Sequence, residues 1–428
     1  MGVEGEPNIF KFRANGQSYV FHRDSFSVLR VPRWPLSDED RVNVERILEQ
    51  EKGKARDVGP LTLRTVALNV TNNCNFACDY CFANQGDFDN PGLVMSEATA
   101  INAVDLLFKN VSDNYQDRAA IAFFGGEPLL GWNLIKKTVS YAEVNCPEGI
   151  RLKFLITTNA SLLDKEKTDF FKEHNFSVMV SLDGAREEND LHRKFKDGSG
   201  TYGSIVENIK RANESIPLTF RATITGDNLD LIKIVEHFRS LGASIITFGI
   251  DNDHLRKENY ARVVVSYREL ANYYLRDIMA GNFYEITNFT EVLLQIAFRE
   301  RKVSHCNAGL SYLGVSAEGS LYKCPRFTGV EQHKFGDIKM ADEVTERRNA
   351  FIEQLKVARE RNIRCSECPF ALLCGGLCHY DLFKKGKGDS GVIEEQCLLR
   401  RAIYTQVLKL YVGVPDDVKR ELFLFLSR

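Results

Sequence analysis

The sequence predicts an α/β protein whose centre is a partial (β/α)6 barrel, with a small N-terminal β+α unit before it and a cysteine-rich domain after it. Two observations carry this prediction. Between residues 61 and 250, six apolar, β-branched segments alternate with amphipathic helical segments, as in parallel sheets covered by helices. Between residues 304 and 400 lie seven of the 11 cysteines, and long periodic segments are few. Six units are too few to close an eight-unit barrel, so an open barrel is expected.

Residues 1–60 predict a small unit of three strands and one helix. The strands are expected at residues 9–12, 18–22 and 27–31, where turn-forming Asn-Gly and Arg-Asp pairs separate them. Ser37 and the acidic residues after it favour the start of a helix. The apolar face of that helix is expected to comprise Val42, Val44, Ile47 and Leu48. Gly59 and Pro60 are expected to close the unit.

The barrel itself is predicted over residues 61–250. Its strands are expected at residues 65–70, 120–124, 152–158, 177–182, 218–225 and 244–250. Its helices are expected at residues 96–109, 132–143, 164–174, 202–213 and 229–241, with Ser96 as an N-terminal cap. Parallel strands end on the same side of such a barrel, so chemistry is expected in the loops that follow them.

The rest of the chain predicts three further segments. Residues 251–303 are mainly helical and carry no cysteine. Residues 304–400 have the composition of a domain that metal clusters organise more than an apolar core does. Residues 401–428 continue a helix that starts near residue 394 and end in a short amphipathic tail.

Composition narrows the functional class. A formal net charge of −2 gives no electrostatic basis for binding nucleic acid or an anionic membrane. The sequence carries no signal-peptide pattern and no apolar run of membrane-spanning length, so a cytoplasmic protein is expected. In a reducing compartment the cysteines would not form a disulfide framework. Cys146, in an Asn-Cys-Pro sequence, is expected to be a lone thiol.

Three cysteines directly follow the first predicted barrel strand: Cys74, Cys78 and Cys81. Three thiolates can hold three irons of an iron–sulfur cube and leave the fourth iron free, whereas a closed structural metal site needs four ligands. The alternative is a zinc site whose fourth ligand is His305 or a distant cysteine.

A glycine-rich turn follows the second predicted strand, at Gly125-Gly126-Glu127-Pro128. Paired glycines let the backbone approach a ligand closely, and a carboxylate can accept hydrogen bonds from an ammonium group. Alone, the pattern also fits an ordinary strand-to-helix turn.

Taken together, these motifs resemble those of radical S-adenosylmethionine (SAM) enzymes, including the aromatic Tyr80 before the last cysteine. The resemblance implies that the free iron binds SAM and that a 5′-deoxyadenosyl radical forms. It implies that the glycine-rich turn contacts the methionine amino group and that Ser181, with Asp183, lies near the ribose and methionine. Thr158 or Asn159 would reach the nucleoside. Arg193 would pair with the methionine carboxylate, or else be a solvated loop residue.

The C-terminal cysteines allow two interpretations. Pairs of the Cys-x2-Cys type could build zinc ribbons. Their spacing behind this barrel instead resembles the SPASM domain, which implies two auxiliary 4Fe–4S clusters in addition to the SAM-binding one. The implied ligands of the second auxiliary cluster are Cys365, Cys368, Cys374 and Cys397, and those of the first are Cys306, Cys324 and Cys378. Residues 307–323 contain no cysteine, so the first cluster is expected to have an open iron or a non-cysteine ligand. An open iron would suit a substrate thiolate.

Two features bear on the reaction. Sulfatase maturases carry an aspartate after the cysteine that matches Cys324, and this chain has Pro325 there. Arg326 follows, either as a receptor for an acidic substrate side chain or as a surface charge. Residues 81–88, 123–129 and 180–184 resemble thioether-forming maturases of ribosomally made peptides (RiPP maturases of the ranthipeptide, sactipeptide and SCIFF types).

The resemblance implies a cysteine-containing precursor peptide as substrate and a flavodoxin- or ferredoxin-type electron donor. The N-terminal unit would bind the leader of the peptide as an added strand, or merely cap the barrel. The alternatives are carbon–carbon cross-linking and a sulfatase-maturase-like oxidation. Outside enzymes, the alternative is a zinc-stabilised binding protein.

Overall fold

The computed structural model describes residues 8–32, 34–51, 53–58, 61–213, 215–361, 363–389 and 391–427. The predicted closure of the N-terminal unit at Gly59 and Pro60 therefore lies outside the described residues.

The N-terminal unit is an antiparallel sheet with one covering helix. Its strands, in the order β1-β2-β3, are β1 (Ile9–Ala14), β2 (Gln17–His22) and β3 (Ser27–Val31). Helix α1 (Asp38–Glu51) packs on β3 and buries Val44 and Leu48. Val42 is 63% exposed and Ile47 is 37% exposed, so their predicted place on the apolar face was wrong. A sheet this small accepts only the narrow stripe of residues spaced four apart.

Six parallel strands form the barrel. They are β5 (Thr65–Asn69), β6 (Arg118–Phe124), β7 (Arg151–Thr158), β8 (Phe176–Ser181), β9 (Leu218–Ile224) and β10 (Ile245–Ile250), after the short strand β4 (Arg56–Val58). Each pairs in parallel with the next along the chain, which confirms the predicted partial barrel. Among the covering helices are α2 (Glu97–Asp113), α3 (Trp132–Asn145), α4 (Lys165–Glu173), α5 (Arg186–His192), α6 (Tyr202–Asn213) and α7 (Leu231–Ser240). Ser96 caps α2 as predicted, since its side chain accepts from the backbone N–H of Thr99.

The side chains of β9 alternate between the buried core beneath the helices and the half-buried inside of the barrel. Leu218, Phe220, Ala222 and Ile224 are buried, and the Phe220 ring packs 5.2 Å from that of Phe238 in α7. Successive side chains of a strand point to opposite faces, so Arg221 and its odd-numbered neighbours, which are half-buried, face the inside of the barrel.

The remaining elements extend the sheet and cover its ends. They are α8 (Asn259–Met279), β11 (Glu285–Ile286), α9 (Thr287–Phe298), β12 (Glu300–Lys302), β13 (Tyr312–Val315), β14 (Ser320–Tyr322), β15 (Lys334–Asp337), α10 (Ala341–Arg361), α11 (Ile363–Ser366), α12 (Ala371–Cys374), α13 (His379–Lys384), α14 (Glu394–Gly413) and α15 (Asp416–Leu426). Helix α14 packs on α8 and α9, and β4 pairs with β12. Within the described chain, no helix has the length and apolarity required to cross a bilayer.

One mixed sheet joins the barrel to the cysteine-rich domain. Its strand order is β11-β10-β9-β8-β7-β6-β5-β13-β14-β15. Strand β13 pairs in parallel with β5, and β14 and β15 add antiparallel strands beyond it. The cysteine-rich domain is thereby attached beside the strand that leads into the first three cysteines.

Candidate active site

The first three cysteines lie in the loop between β5 and α2, at the carboxyl end of the barrel strands. The backbone N–H of Ala77 donates to the carbonyl of Lys194 over 2.8 Å, and the Phe76 ring packs edge-on against Phe195. The pKa of the Cys74 thiol is raised to about 12, chiefly by burial, with smaller contributions from Glu127, Cys78 and Cys81. The predicted triad of thiols is therefore assembled at one end of the barrel.

The glycine-rich turn fastens this loop to the end of β6. The N–H of Gly126 donates to the carbonyl of Thr71 over 2.9 Å, and the N–H of Glu127 donates to that of Asn73 over 2.8 Å. A Cβ atom at Gly126 would overlap the carbonyl of Asn73, and one at Gly86 (φ +91°) would lie 2.7 Å from the Cβ of Cys74. These glycines are needed for the close packing of two backbones.

Replacing Gly126 with alanine is expected to destabilise the protein by about 1–3 kcal/mol, because the new methyl group has no space against the backbone. Chemical unfolding of the metal-free protein measures this loss. Gly203→Ala is the matched control, since a Cβ atom there would have no neighbour closer than 3.7 Å. Equal stability of the two variants would contradict the close-packing explanation.

Glu127 is fully buried and links the ends of β6 and β7. Its Oε1 accepts from the N–H of Leu129 over 3.0 Å and from the Thr158 hydroxyl over 2.7 Å, and its Oε2 accepts from the N–H of Asn159 over 2.7 Å. Burial raises the pKa of Glu127, and these hydrogen bonds oppose that rise. Pro128 is buried in the turn that follows. Four residues predicted to bind SAM therefore lie together: Glu127, Pro128, Thr158 and Asn159. Their contacts with SAM stay predictions.

Asn159 extends this link to the cysteine loop. Its Nδ2 donates to the side-chain oxygen of Asn75 over 2.9 Å and lies 3.9 Å from the sulfur of Cys74. The ends of β5, β6 and β7 are therefore held in one hydrogen-bonded unit around the first cysteine.

A second buried unit contains three further predicted residues. The Tyr80 hydroxyl donates to Asp183 Oδ2 and accepts from Arg193 Nη1 over 2.7 Å. Asp183 Oδ1 accepts from the N–H of Thr223 over 2.8 Å. Arg193 is 7% exposed, which excludes the solvated alternative. In the described residues its Nε has no hydrogen-bond partner, although the guanidinium faces the Phe76 ring at 5.8 Å.

Charge organises this second unit around Cys78. Burial raises the pKa of Asp183, and the nearby positive charge of Arg193 opposes that rise. Burial also raises the pKa of the Cys78 thiol, again opposed by Arg193. Arg193 is therefore placed to stabilise negative charge on Asp183 and on the cysteine loop at once.

Ser181, at the end of β8, lies beside a residue that the sequence analysis missed. The register pairs Ser181 with Arg221 of β9, which pairs on its other side with Thr247 of β10. The guanidinium of Arg221 lies over Gly249, where any Cβ atom would collide with it. A single charged residue at an inward-facing position of an otherwise uncharged strand was the available signal.

The C-terminal cysteines form two groups. The pKa of Cys324 is raised to about 12, chiefly by burial, with smaller contributions from Cys306 and Cys378. Burial raises the pKa of Cys397 to about 11, with further contributions from Cys374, Cys365 and Cys368. These are the two predicted sets of ligands, and cluster binding by them stays a prediction. Sulfur-only donor sets of this kind fit iron–sulfur clusters.

The cysteines form no disulfide, and His305 lies away from the first three. None of the 11 cysteines is in a disulfide. Across the described residues, no three or more His, Cys, Asp or Glu side chains are grouped as a single metal ion requires. Both ring nitrogens of His305 lie 3.0 Å from guanidinium nitrogens of Arg400, which is itself 4.0 Å from the sulfur of Cys374. His305 is therefore not positioned as the fourth ligand of Cys74, Cys78 and Cys81.

Arg326 is partly exposed and bonds to its own domain. Its Nη1 donates to Asp381 Oδ1 over 2.9 Å and lies 3.5 Å from the sulfur of Cys378. Its guanidinium also stacks over the Tyr380 ring at 4.3 Å. Its side chain is 33% exposed, so its predicted roles as a substrate receptor or a surface charge stay predictions.

Comparison with known proteins identifies one matching family model and several relatives of this chain. The model of the radical SAM superfamily matches residues 68–241. A cysteine-type anaerobic sulfatase-maturating enzyme of Clostridium novyi is 26% identical over 72% of this chain and 86% of its own length. An uncharacterized protein of Methanocaldococcus jannaschii is 30% identical over 63% of this chain and 87% of its own length. The radical SAM cyclopropyl synthase TigE of Paramaledivibacter caminithermalis is 23% identical over 76% of this chain and 69% of its own length.

Two solved structures share the fold. Native anSMEcpe with bound AdoMet superposes with a TM-score of 0.68, at 20% identity, over 82% of this chain and 98% of its own. SuiB of Streptococcus suis, bound to the precursor peptide SuiA, superposes with a TM-score of 0.55, at 14% identity, over 91% of this chain and 98% of its own. At these identities the superpositions establish the fold alone.

Proposed function

The chain belongs to the radical SAM superfamily, and from this we propose that it is an enzyme that installs thioether cross-links, from cysteine sulfur to carbon, in a ribosomally made precursor peptide. A peptide substrate is supported by the relatives, which include a sulfatase-maturating enzyme and a cyclopropyl synthase, and by SuiB, which was solved with a precursor peptide.

Membership of the superfamily implies SAM and a 4Fe–4S cluster, for which Cys74, Cys78 and Cys81 are the proposed ligands. When bound, this pair supplies a 5′-deoxyadenosyl radical that removes a hydrogen atom from the substrate. Ser181, which faces the same end of the barrel, is the proposed contact to the nucleoside side of SAM. The buried Tyr80–Asp183–Arg193 unit would hold the cysteine loop in place and keep water from it.

One observation carries the thioether proposal: Cys306 and Cys378 are near enough to raise the pKa of Cys324, whereas the other cysteines of the domain act on Cys397. Three thiols leave one position of an iron–sulfur cube for a further ligand. Cys306 is an exposed residue. A peptide thiolate is a soft ligand that would suit the open position.

The reaction must also balance its electrons. A thioether forms when the peptide loses one proton from the thiol, one proton from the acceptor carbon and two electrons. One electron leaves with the abstracted hydrogen atom, the thiol proton passes to solvent, and the other electron needs an acceptor. The C-terminal cysteine groups are proposed to hold that acceptor, and a flavodoxin- or ferredoxin-type protein is the proposed donor that starts each turnover.

A sulfatase-maturase-like oxidation is the second candidate. The identity with the Clostridium novyi enzyme favours it. Pro325, in the position where the resemblance leads one to expect an aspartate, favours the thioether instead.

Anaerobic incubation of the reconstituted enzyme with cysteine-containing precursor peptides, followed by mass spectrometry, tests the proposal. Loss of two hydrogens per modified cysteine, with a thiol that no longer reacts with alkylating agents, is the expected result. Loss of the sulfur atom would identify the sulfatase-type oxidation. Loss of two hydrogens with a retained free thiol would identify a carbon–carbon cross-link.

Replacing Cys324 with alanine is expected to abolish cross-linking and to remove about four irons per chain, because one cluster would lose a ligand. SAM cleavage without peptide should persist, since the first three cysteines are unchanged. Cys146→Ala is the matched control, because Cys146 lies outside all three cysteine groups. Normal cross-linking by the Cys324 variant would rule out a role for its group.

A further inference from the structure

Arg400 of α14 connects the two C-terminal cysteine groups. Its Nη1 lies 4.0 Å from the sulfur of Cys374, which belongs to the second group. Its Nη1 and Nη2 each lie 3.0 Å from a ring nitrogen of His305, and His305 directly precedes Cys306 of the first group. The guanidinium therefore contacts one group directly and the other through a chain neighbour.

The turn that follows α12 fixes this arrangement. Gly375 has a φ of +65°, and a Cβ atom there would lie 2.4 Å from the carbonyl oxygen of Ser304 and 2.9 Å from the backbone nitrogen of His305. Glycine is needed where two backbones approach this closely. On the helix side, the Tyr404 hydroxyl lies 3.5 Å from Arg400 Nη1, one turn further along α14. Backbone packing and helix geometry together restrict where the guanidinium lies.

The positive charge of Arg400 is not offset in the way that the charge of Arg326 is. Arg326, which lies 3.5 Å from the sulfur of Cys378 in the first group, also donates to Asp381 over 2.9 Å. The contacts of Arg400 within the described parts of the chain are ring nitrogens, a hydroxyl and a sulfur, and no carboxylate is among them. A guanidinium stays protonated in proteins, so a charge removed from water is costly unless an anion offsets it. Among these contacts, the cysteine sulfur is the one that becomes anionic when it binds a metal.

We propose that Arg400 is a positioning residue that acts through the sulfur of Cys374 and raises the reduction potential of the cluster proposed for the second C-terminal group. This inference rests on the proposed function, which leaves one electron per thioether to be accepted. Reduction adds one electron and one negative charge to a cluster, and a nearby positive charge stabilises that form more than the oxidised form. Asp381 offsets the charge of Arg326 at the first group, so the second group is the better electron acceptor of the two.

Redox titrations of the reconstituted holoenzyme, followed by electron paramagnetic resonance without SAM or peptide, test this proposal. They compare wild type with Arg400→Gln, Arg400→Met, Arg400→Lys and Arg401→Gln, and the iron content of each protein is determined. Arg401 is the matched control, because it is the next residue of α14 and carries the same charge but is exposed, so that water screens it.

Arg400→Gln and Arg400→Met are expected to make one reduction step about tenfold less favourable, which is about 59 mV for a one-electron couple. Arg400→Lys should stay close to wild type, because it keeps the charge, and so should Arg401→Gln. An unchanged potential in both neutral variants overturns the proposal. A loss of about four irons from both also overturns it, because Arg400 would then only support the fold of the site. An equal shift in Arg400→Lys overturns the role of the charge.

The same titrations in proteins that also carry Cys324→Ala assign the shifted step to one group. The step should persist, because the second group keeps its four cysteines, and its disappearance would overturn the assignment. These measurements need no peptide, so they are independent of the test of the proposed function. A shifted potential together with a peptide that keeps its free thiol would contradict thioether formation and leave the role of Arg400 intact. A thioether product together with an unshifted potential would do the reverse.

Discussion

Replacing Cys74, Cys78 and Cys81 together with alanine is expected to abolish the reductive cleavage of SAM, a loss of at least about a thousandfold. The reason is structural, because these thiols form one group at the end of β5 and the two C-terminal groups cannot substitute for them. Iron should fall from about twelve to about eight atoms per chain, because the two proposed auxiliary sites keep their cysteines. Anaerobic reconstitution, iron determination and chromatography of 5′-deoxyadenosine measure both quantities.

The control for this experiment is Cys146→Ala, which removes a half-buried thiol that no cysteine group contains. It should retain both iron and SAM cleavage. Loss of all iron from the triple variant would show that the three groups do not load separately. Retained cleavage would place the SAM-binding cluster elsewhere in the chain.

The barrel could be predicted from the sequence because its signals are local. Apolar periodicity over a few residues predicts each barrel strand and most of the helices. Helix α5 was missed because its seven residues are mostly charged and carry no such period. The pairing of β13 with β5 was also missed, because it joins segments some 240 residues apart and parallel pairing leaves no local pattern.

The residues of the site also divide into features that the sequence predicts and features that depend on the folded structure. Spacing and resemblance predict which C-terminal cysteines belong to each group, and cluster binding by the two groups stays a prediction. The bonds of Glu127, Tyr80 and Asp183 were not predicted, because a carboxylate or hydroxyl that fits a ligand fits a protein donor equally well. Only the folded structure shows which donor lies within hydrogen-bonding distance of such a group. Arg221 was missed for a related reason: it belongs to no motif, and its place beside Ser181 depends on the pairing of β8 with β9.

Replacing Asp183 with alanine is expected to destabilise the folded protein by about 3–5 kcal/mol, the usual cost of removing one partner from a buried charged unit. The change leaves the Arg193 guanidinium without a nearby carboxylate and leaves the Tyr80 hydroxyl and the N–H of Thr223 without their acceptor. Denaturant unfolding of the metal-free protein measures the loss. Asp227→Ala is the matched control, since Asp227 contacts His192 at the same end of the barrel but is exposed, and its removal should cost less than about 1 kcal/mol.

A double-mutant cycle with Arg193→Met separates this charge interaction from simple loss of packing. If Asp183 and Arg193 act as one unit through Tyr80, the double variant should be less destabilised than the sum of the single variants, by about 1–3 kcal/mol. The methionine also removes the positive charge that an isolated Asp183→Ala variant would leave buried, so the double variant should be more stable than Asp183→Ala alone. Strictly additive losses would mean that the two residues stabilise the cysteine loop independently, and the hydroxyl of Tyr80 would then be a spacer and not the link between them.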